Sequence, residues 1–306
     1  MSDQADKLRK MASSIRQQIE VDLMNKAKQT RVIVISSGKG GVGKSTIALN
    51  IALVLGTYNK KVILMDADMG LANIDIMLGL IPKYTIQHVV QGRKKLKDVM
   101  IDGPAGVKII PGGSGINELA DLNDNELNRL IQELSKIDGE YDYMIIDTGA
   151  GISRNVVSFL LAADDVIMVT TAEPTSLTDA YGTVKTMIKQ AYAGKIYLLV
   201  NKVTNNSEGI MVAEKFRIAC KRFLDTDLIA IGNVVNEPAV REGIMRQEAF
   251  TQMFPQSTAT RNIVSIVDRL MTGYDVSYSS PGQPGGVKSF FRKLSSLFRD
   301  KDAGVG

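Results

Sequence analysis

Residues 38–46 read GKGGVGKST. Gly38, four residues and then Gly43-Lys44-Ser45 satisfy the spacing G-x-x-x-x-G-K-[ST]; the apolar run VIVIS (32–36) precedes them and a helical pattern over 44–57 follows. That order of strand, glycine turn and helix suits phosphate binding. Gly38, Gly40, Gly41 and Gly43 let backbone N–H groups, including that of Val42, turn toward phosphate oxygens where a Cβ would obstruct. The helix beginning near Lys44, with Ser45 and Thr46 in its first turn, adds its positive end. Lys44 is placed to bridge β- and γ-phosphates, and the Ser45 hydroxyl to bind Mg²⁺. ATP or ADP with Mg²⁺ is the cofactor set this predicts. Lys39 is extra to the cradle. At the outer edge of the loop it points away from its own phosphates, and is either a solvated loop lysine or a charge available to a nucleotide outside its own site.

Two acidic clusters accompany the loop. Asp66-Ala67-Asp68 follows the apolar run that begins at 62, and Asp147 ends YMIID, continuing into TGAG (148–151). Each closes a strand-like run, which is where a doubly wound sheet gathers its ligands. Further strand-like runs lie at 165–170, 196–200 and 228–235, with helical patterns at 125–137, 154–162, 177–191 and 208–224. Continuous apolar runs suit strands buried on both faces, and their alternation with helices predicts an α/β, doubly wound, mostly parallel sheet over 31–272.

Counting removes several chemistries. His88 is the only histidine and Cys220 the only cysteine, so zinc sites built on several histidines, intrachain disulfides and all-cysteine clusters are excluded. A formal net charge of +4 is too small to argue for nucleic acid. The charged N-terminus lacks the apolar core of a signal peptide, and no run approaches the ~20 apolar residues of a membrane span. A cytoplasmic protein is expected.

Amphipathic segments flank the α/β region. In 1–30, Leu8, Met11, Ile15 and Ile19 recur at helical spacing. After a Gly-, Pro- and Ser-rich linker (273–286), the segment 287–306 sets Val287, Phe290, Phe291, Leu294, Leu297 and Phe298 on one face and Lys288, Arg292, Lys293 and Arg299 on the other. Amphipathic segments commonly end in a core. Phenylalanines opposite basic residues, on a flexible tether, favour reversible attachment to anionic membrane lipids.

The form K-G-G-x-G-K-[ST] over 39–45 resembles the deviant Walker A motif of the MinD/ParA ATPases. That resemblance implies a homodimer in the ATP state, sandwiching two nucleotides, with Lys39 reaching across. It also implies Asp66 and Asp147 near the Mg²⁺ shell, Asp68 orienting the attacking water, and 148–151 as a switch loop. Asn201, after IYLLV, matches the position that reads adenine, and the loop Asn236-Glu237-Pro238-Ala239-Val240 matches a second adenine wall, although Val235 stands where relatives carry proline. Asp3-Gln4-Ala5, then Leu8-Arg9, resembles the D-Q-A-x-x-L-R motif of the flagellar number regulators of the FlhG, FleN or YlxH type. Membership of that group implies stimulation of the GTPase FlhF through Gln4, contact with flagellar C-ring proteins, and a peripheral position on the cytoplasmic membrane. A division-site MinD and a ParA-type DNA segregator are the alternative readings.

Overall fold

The computed structural model describes residues 29–68, 73–112, 124–272 and 285–299. The expectations attached to Asp3, Gln4, Leu8 and Arg9 lie outside the described residues, as do most of the 273–286 linker and residues 300–306.

Eight strands form one sheet: β1 (Arg31–Ser37), β2 (Val62–Ala67), β3 (Ile101–Asp102), β4 (Lys108–Ile110), β5 (Tyr143–Ala150), β6 (Asp165–Thr170), β7 (Lys195–Val203) and β8 (Ile229–Val235). Their order is β3-β4-β2-β5-β1-β6-β7-β8. Every pairing is parallel except the edge pair β3–β4. The helices are α1 (Lys44–Thr57), α2 (Ile74–Met77), α3 (Ile86–Val90), α4 (Leu96–Val99), α5 (Asp124–Ser135), α6 (Arg154–Ala162), α7 (Pro174–Lys189), α8 (Asn206–Leu224), α9 (Pro238–Arg246), α10 (Phe250–Met253), α11 (Thr258–Thr272) and α12 (Val287–Arg299). This is the doubly wound α/β architecture.

All residues of β1, β2 and β6 are buried, because helices cover both faces of the sheet. Val32, Val34, Met144, Ile146, Val166 and Met168 point into one layer, covered by α3 to α8 and α12. Ile33, Ile35, Ile145, Ile167 and Leu199 point into the other, against α1, α10 and α11. Each such side chain contributes about 1.5–3 kcal/mol on burial, so the apolar alternation within the runs fixes which face each residue takes. The open edge of β8 is closed by side chains: Arg269 Nη1 donates to Ile231 O at 2.9 Å, and Val235 N donates to Asn262 Oδ1 at 3.2 Å.

The central strand β1 decides where the site lies. From β1 the chain runs through α1 to β2 on one side, and from β5 through α6 to β6 on the other. The crevice at the carboxyl end of β1 is therefore a topological switch point, where ligands of open α/β sheets bind.

Three features differ from the sequence expectation. The short helices α2 to α4 and the strands β3 and β4 carry too few residues to show a period. Helix α11, over 258–272, lies beyond the helical patterns of the sequence and packs against α1 and β8. The third concerns α12. Its apolar face is not presented to solvent: Val287, Phe290, Phe291, Leu294 and Phe298 are buried against α5 and α6, and Leu297 is half-buried. Phe290 and Phe298 both meet the ring of Phe159, with centroids 6.0 and 6.4 Å apart. Lys288, Arg292 and Arg299 remain exposed.

Candidate nucleotide site

The loop between β1 and α1 is shaped by two left-handed glycines, Gly41 (φ 77°) and Gly43 (φ 92°). A Cβ on Gly38 would run into the backbone of Asp179 on α7. Gly43 is the N-cap of α1 and brings no side-chain cap, so the first-turn amides are available to a ligand anion. Ile47 N bonds to Gly43 O at 3.0 Å and starts the helix, whose interior from Thr46 to Leu55 is buried. The rigid element is thus the helix, and its amide end opens into the crevice.

Around this end lies a cavity of about 600 Å³, lined by Gly40, Gly43, Lys44, Ser45, Asp68 and Asn201 among others. Lys44 is buried and donates to Asp147 Oδ1 at 2.7 Å, with Asp68 Oδ2 at 3.9 Å. Asp66 and Asp147 sit opposite one another on β2 and β5. Asp66 accepts from the amides of Asp68 (3.0 Å), Asn73 (2.7 Å) and Ile74 (3.1 Å). Even so, burial and the neighbouring Asp147 push its carboxyl up to about 6. Burial raises Asp147 as well, against the opposing effect of Lys44 and the Ser45 hydroxyl. Asp147 Oδ2 is buried and has no hydrogen-bond partner among the described residues.

Two buried carboxylates side by side, one with an orphaned oxygen, need more positive charge than Lys44 supplies. A divalent cation beside Ser45 fits that deficit. The residues assigned to Mg²⁺ by sequence, Ser45, Asp66 and Asp147, are therefore brought together. Asp68 stands at the same crevice, its Oδ2 accepting from Asn73 Nδ2 at 3.3 Å.

Lys39 is turned away from the cavity. Its Nζ contacts Glu173 Oε2 and Thr175 Oγ1, both at 3.2 Å, with 43% of the side chain exposed. Such a surface pair is worth about 0–1 kcal/mol and yields readily to a stronger partner.

The base-reading positions are placed differently from one another. Asn201 is buried at the cavity, where its Nδ2 donates to Val42 O at 2.8 Å, so it holds the phosphate loop. Glu237 faces away: its Oε2 accepts from Ala259 N at 2.9 Å, capping α11. The cavity wall there includes Asn236 and Val240 of the same loop, with Arg241, while Glu237 and Pro238 are not among its lining residues. Sequence reading gave no role to Asn73, which steadies Asp68, or to Lys202. Lys202 is left-handed (φ 57°) and donates to Gly41 O at 2.7 Å. Its only local signal is its place directly after Asn201.

In the switch segment, Gly151 (φ 90°) donates its N–H to Ser37 O at 2.8 Å, tying the loop after β5 to the end of β1. Ser153 then caps α6 by accepting from Val156 N. Arg154, the first residue of that helix, donates from Nη2 to Leu297 O of α12 at 3.2 Å.

Fold and site together define a P-loop nucleotide-binding protein of the doubly wound class. Comparison with known proteins narrows this. The sequence model for the AAA domain matches residues 30–196. The antiactivator FleN of Pseudomonas aeruginosa is 37% identical over 268 residues, covering 88% of this chain and 94% of that protein. The flagellum site-determining protein YlxH of Helicobacter pylori is 32% identical over 267 residues, covering 87% and 90%. Among solved structures, the septum site-determining protein MinD complexed with Mg-ADP from Pyrococcus horikoshii superposes with a TM-score of 0.66 at 25% identity, covering 82% of this chain and 100% of that one. The chain belongs to the AAA-domain family and, within it, to the MinD/ParA-like ATPases of the FleN/YlxH (FlhG) type.

Proposed function

We propose that the chain hydrolyses ATP and, through an ATP-driven dimer, regulates the number and placement of flagella. The observation that carries the enzymatic reading is the charge arrangement at the crevice: Lys44 beside Asp147 and Asp68, with Asp66 held near 6. The flagellar reading rests on likeness to FleN and YlxH along nearly the whole chain.

On ATP binding, Lys44 exchanges its carboxylate partners for the β- and γ-phosphates, and the first amides of α1 bind phosphate oxygens. Ser45, Asp66 and Asp147 hold Mg²⁺, which when bound neutralises charge on the phosphate oxygens. Asp68, steadied by Asn73, orients the attacking water. Lys39 leaves Glu173 and Thr175 and reaches toward the nucleotide of a facing copy, as an arginine finger does in trans.

The outer segments connect that cycle to partners. Helix α12 reaches anionic lipids by leaving its seat on α5 and α6. Two such helices on a dimer bind far more strongly than one, through effective concentration. Residues 1–30 engage FlhF, with Gln4 orienting the hydrolytic water of that GTPase, and the protein contacts flagellar C-ring proteins. A peptide of residues 1–25 should accelerate GTP hydrolysis by FlhF, and Gln4→Ala should remove the effect. No acceleration by the unaltered peptide contradicts this part of the reading.

A further inference from the structure

The docked α12 begins beside the start of β1, and the same two carboxylates hold both. Asp138, in the turn after α5, accepts on Oδ1 from Thr30 N (3.3 Å) and from Val287 N (3.1 Å). Its Oδ2 accepts from Lys288 N at 3.2 Å. Asp164, before β6, accepts on Oδ2 from Val32 N (2.9 Å) and from Gly286 N (3.5 Å). Burial holds Asp164 at about 6. Thr30 is tied further to this turn: its Oγ1 donates to Tyr141 O at 2.8 Å and accepts from Gly139 N at 3.0 Å.

The residue before α12 is a glycine and brings no side-chain cap. Gly286 (φ 94°) immediately precedes α12, and a Cβ there would lie 2.8 Å from Asp138 Oδ1. Gly285 likewise lies close to Asp164 and to Gln29. Glycine at both positions lets the chain pass against the carboxylates, and the cap comes from the core. An anionic cap at a helix N-terminus also meets the positive end of the dipole.

We propose that Asp138 and Asp164 form a shared clamp that couples the point where residues 1–28 enter the fold to the docking of α12. Each donor holds the carboxylate in the orientation that the other needs, so the two ends stabilise one another. A ligand that pulls the chain at Gln29–Thr30 therefore loosens α12, and departure of α12 loosens the start of β1. By linkage the coupling is equal in both directions. Its consequence for membrane attachment rests on the reading above, whereas the clamp itself does not.

Amide hydrogen exchange on the full-length protein in ADP and Mg²⁺ tests this without lipid. Asp138→Ala should speed exchange across 287–299 by about tenfold, the factor that loss of one cap supplies. Unchanged protection of α12 would overturn the clamp. Phe290→Glu acts from the other side. The Phe290 ring packs on Phe159 and Phe291, is 1% exposed, and its replacement by a charge should undock α12. The amides of Thr30 and Val32 should then exchange several-fold faster, in step with α12. Faster exchange in α12 alone would show that the two ends are independent and overturn the coupling. If Asp138→Ala does not fold, Phe290→Glu decides alone. Sedimentation of the unaltered protein with phosphatidylglycerol vesicles in ATP is the separate arm that tests membrane attachment.

Discussion

Two helices of this fold begin directly after a left-handed glycine, and they treat their N-termini in opposite ways. Helix α1 follows Gly43 (φ 92°) and opens its first amides into the nucleotide cavity. Helix α12 follows Gly286 (φ 94°), and its first amides are met by Asp138. The electrostatics are the same in both places, a positive helix end seeking an anion. What differs is the source of the anion. At α12 a protein carboxylate closes the end and fixes the helix on the core. At α1 the nearby carboxylates are instead engaged with Lys44, and phosphate is the anion expected. The first arrangement makes a seat, the second a receptor.

Substitutions can break this contrast. The largest effect is expected for Lys44→Ala, which removes a buried cation from between Asp147 and the phosphates. Turnover of ATP should fall by about 10³-fold, roughly 4 kcal/mol, as for loss of a preorganised donor to transition-state charge. Protection of α12 in the absence of nucleotide should not change, and a parallel loss there would show that the two helices are not separable. Next is Phe290→Ala, expected to weaken docking of α12 by about 3 kcal/mol through the lost core contacts. Hydrogen exchange over 287–299 reports it, while the affinity of the isolated ATPase site for ADP should stay within about twofold.

The smallest effect concerns pH. Asp66 is held at about 6 in the folded protein, above the ordinary carboxylate value. The folded state therefore binds the proton more readily than the unfolded chain, so its contribution is full at low pH and is lost as pH rises through about 6. Without Mg²⁺ or nucleotide, Asp66→Asn should raise stability at pH 8 by on the order of 1 kcal/mol, since lost hydrogen bonds offset part of the relief. The gain should vanish by pH 4. The same variant should bind Mg²⁺-ATP more weakly than the natural sequence. A variant less stable at pH 8 contradicts the charge deficit inferred for Asp66 and Asp147.

How far the sequence could be read follows from how local each feature is. The phosphate loop was legible outright, because its glycines, lysines and flanking runs are contiguous and their spacing is the mechanism. The strands β1, β2, β5 and β6 were legible because burial on both faces leaves unbroken apolar runs. Asp66 and Asp147 lie far apart in the chain and meet only because β2 pairs with β5. Nothing local marks Asp138 or Asp164, whose partners come from other elements, and Lys202 is marked only by its place after Asn201. The amphipathy of α12 was equally plain, yet a period states that a face is buried, not what buries it. Glu237 shows the converse limit: its position in the loop suggested the base, while the fold turns it to cap α11.

The central claim is that the crevice at Lys44 is half of a nucleotide-driven dimer with Lys39 as the crossing group. Analytical ultracentrifugation of Asp68→Ala in ATP and Mg²⁺, with and without Lys39→Ala, tests it most directly. The account predicts a stable dimer for Asp68→Ala and a monomer for the double variant, which should still bind ATP. A monomer for Asp68→Ala at saturating ATP, or a dimer that survives loss of Lys39, would contradict it.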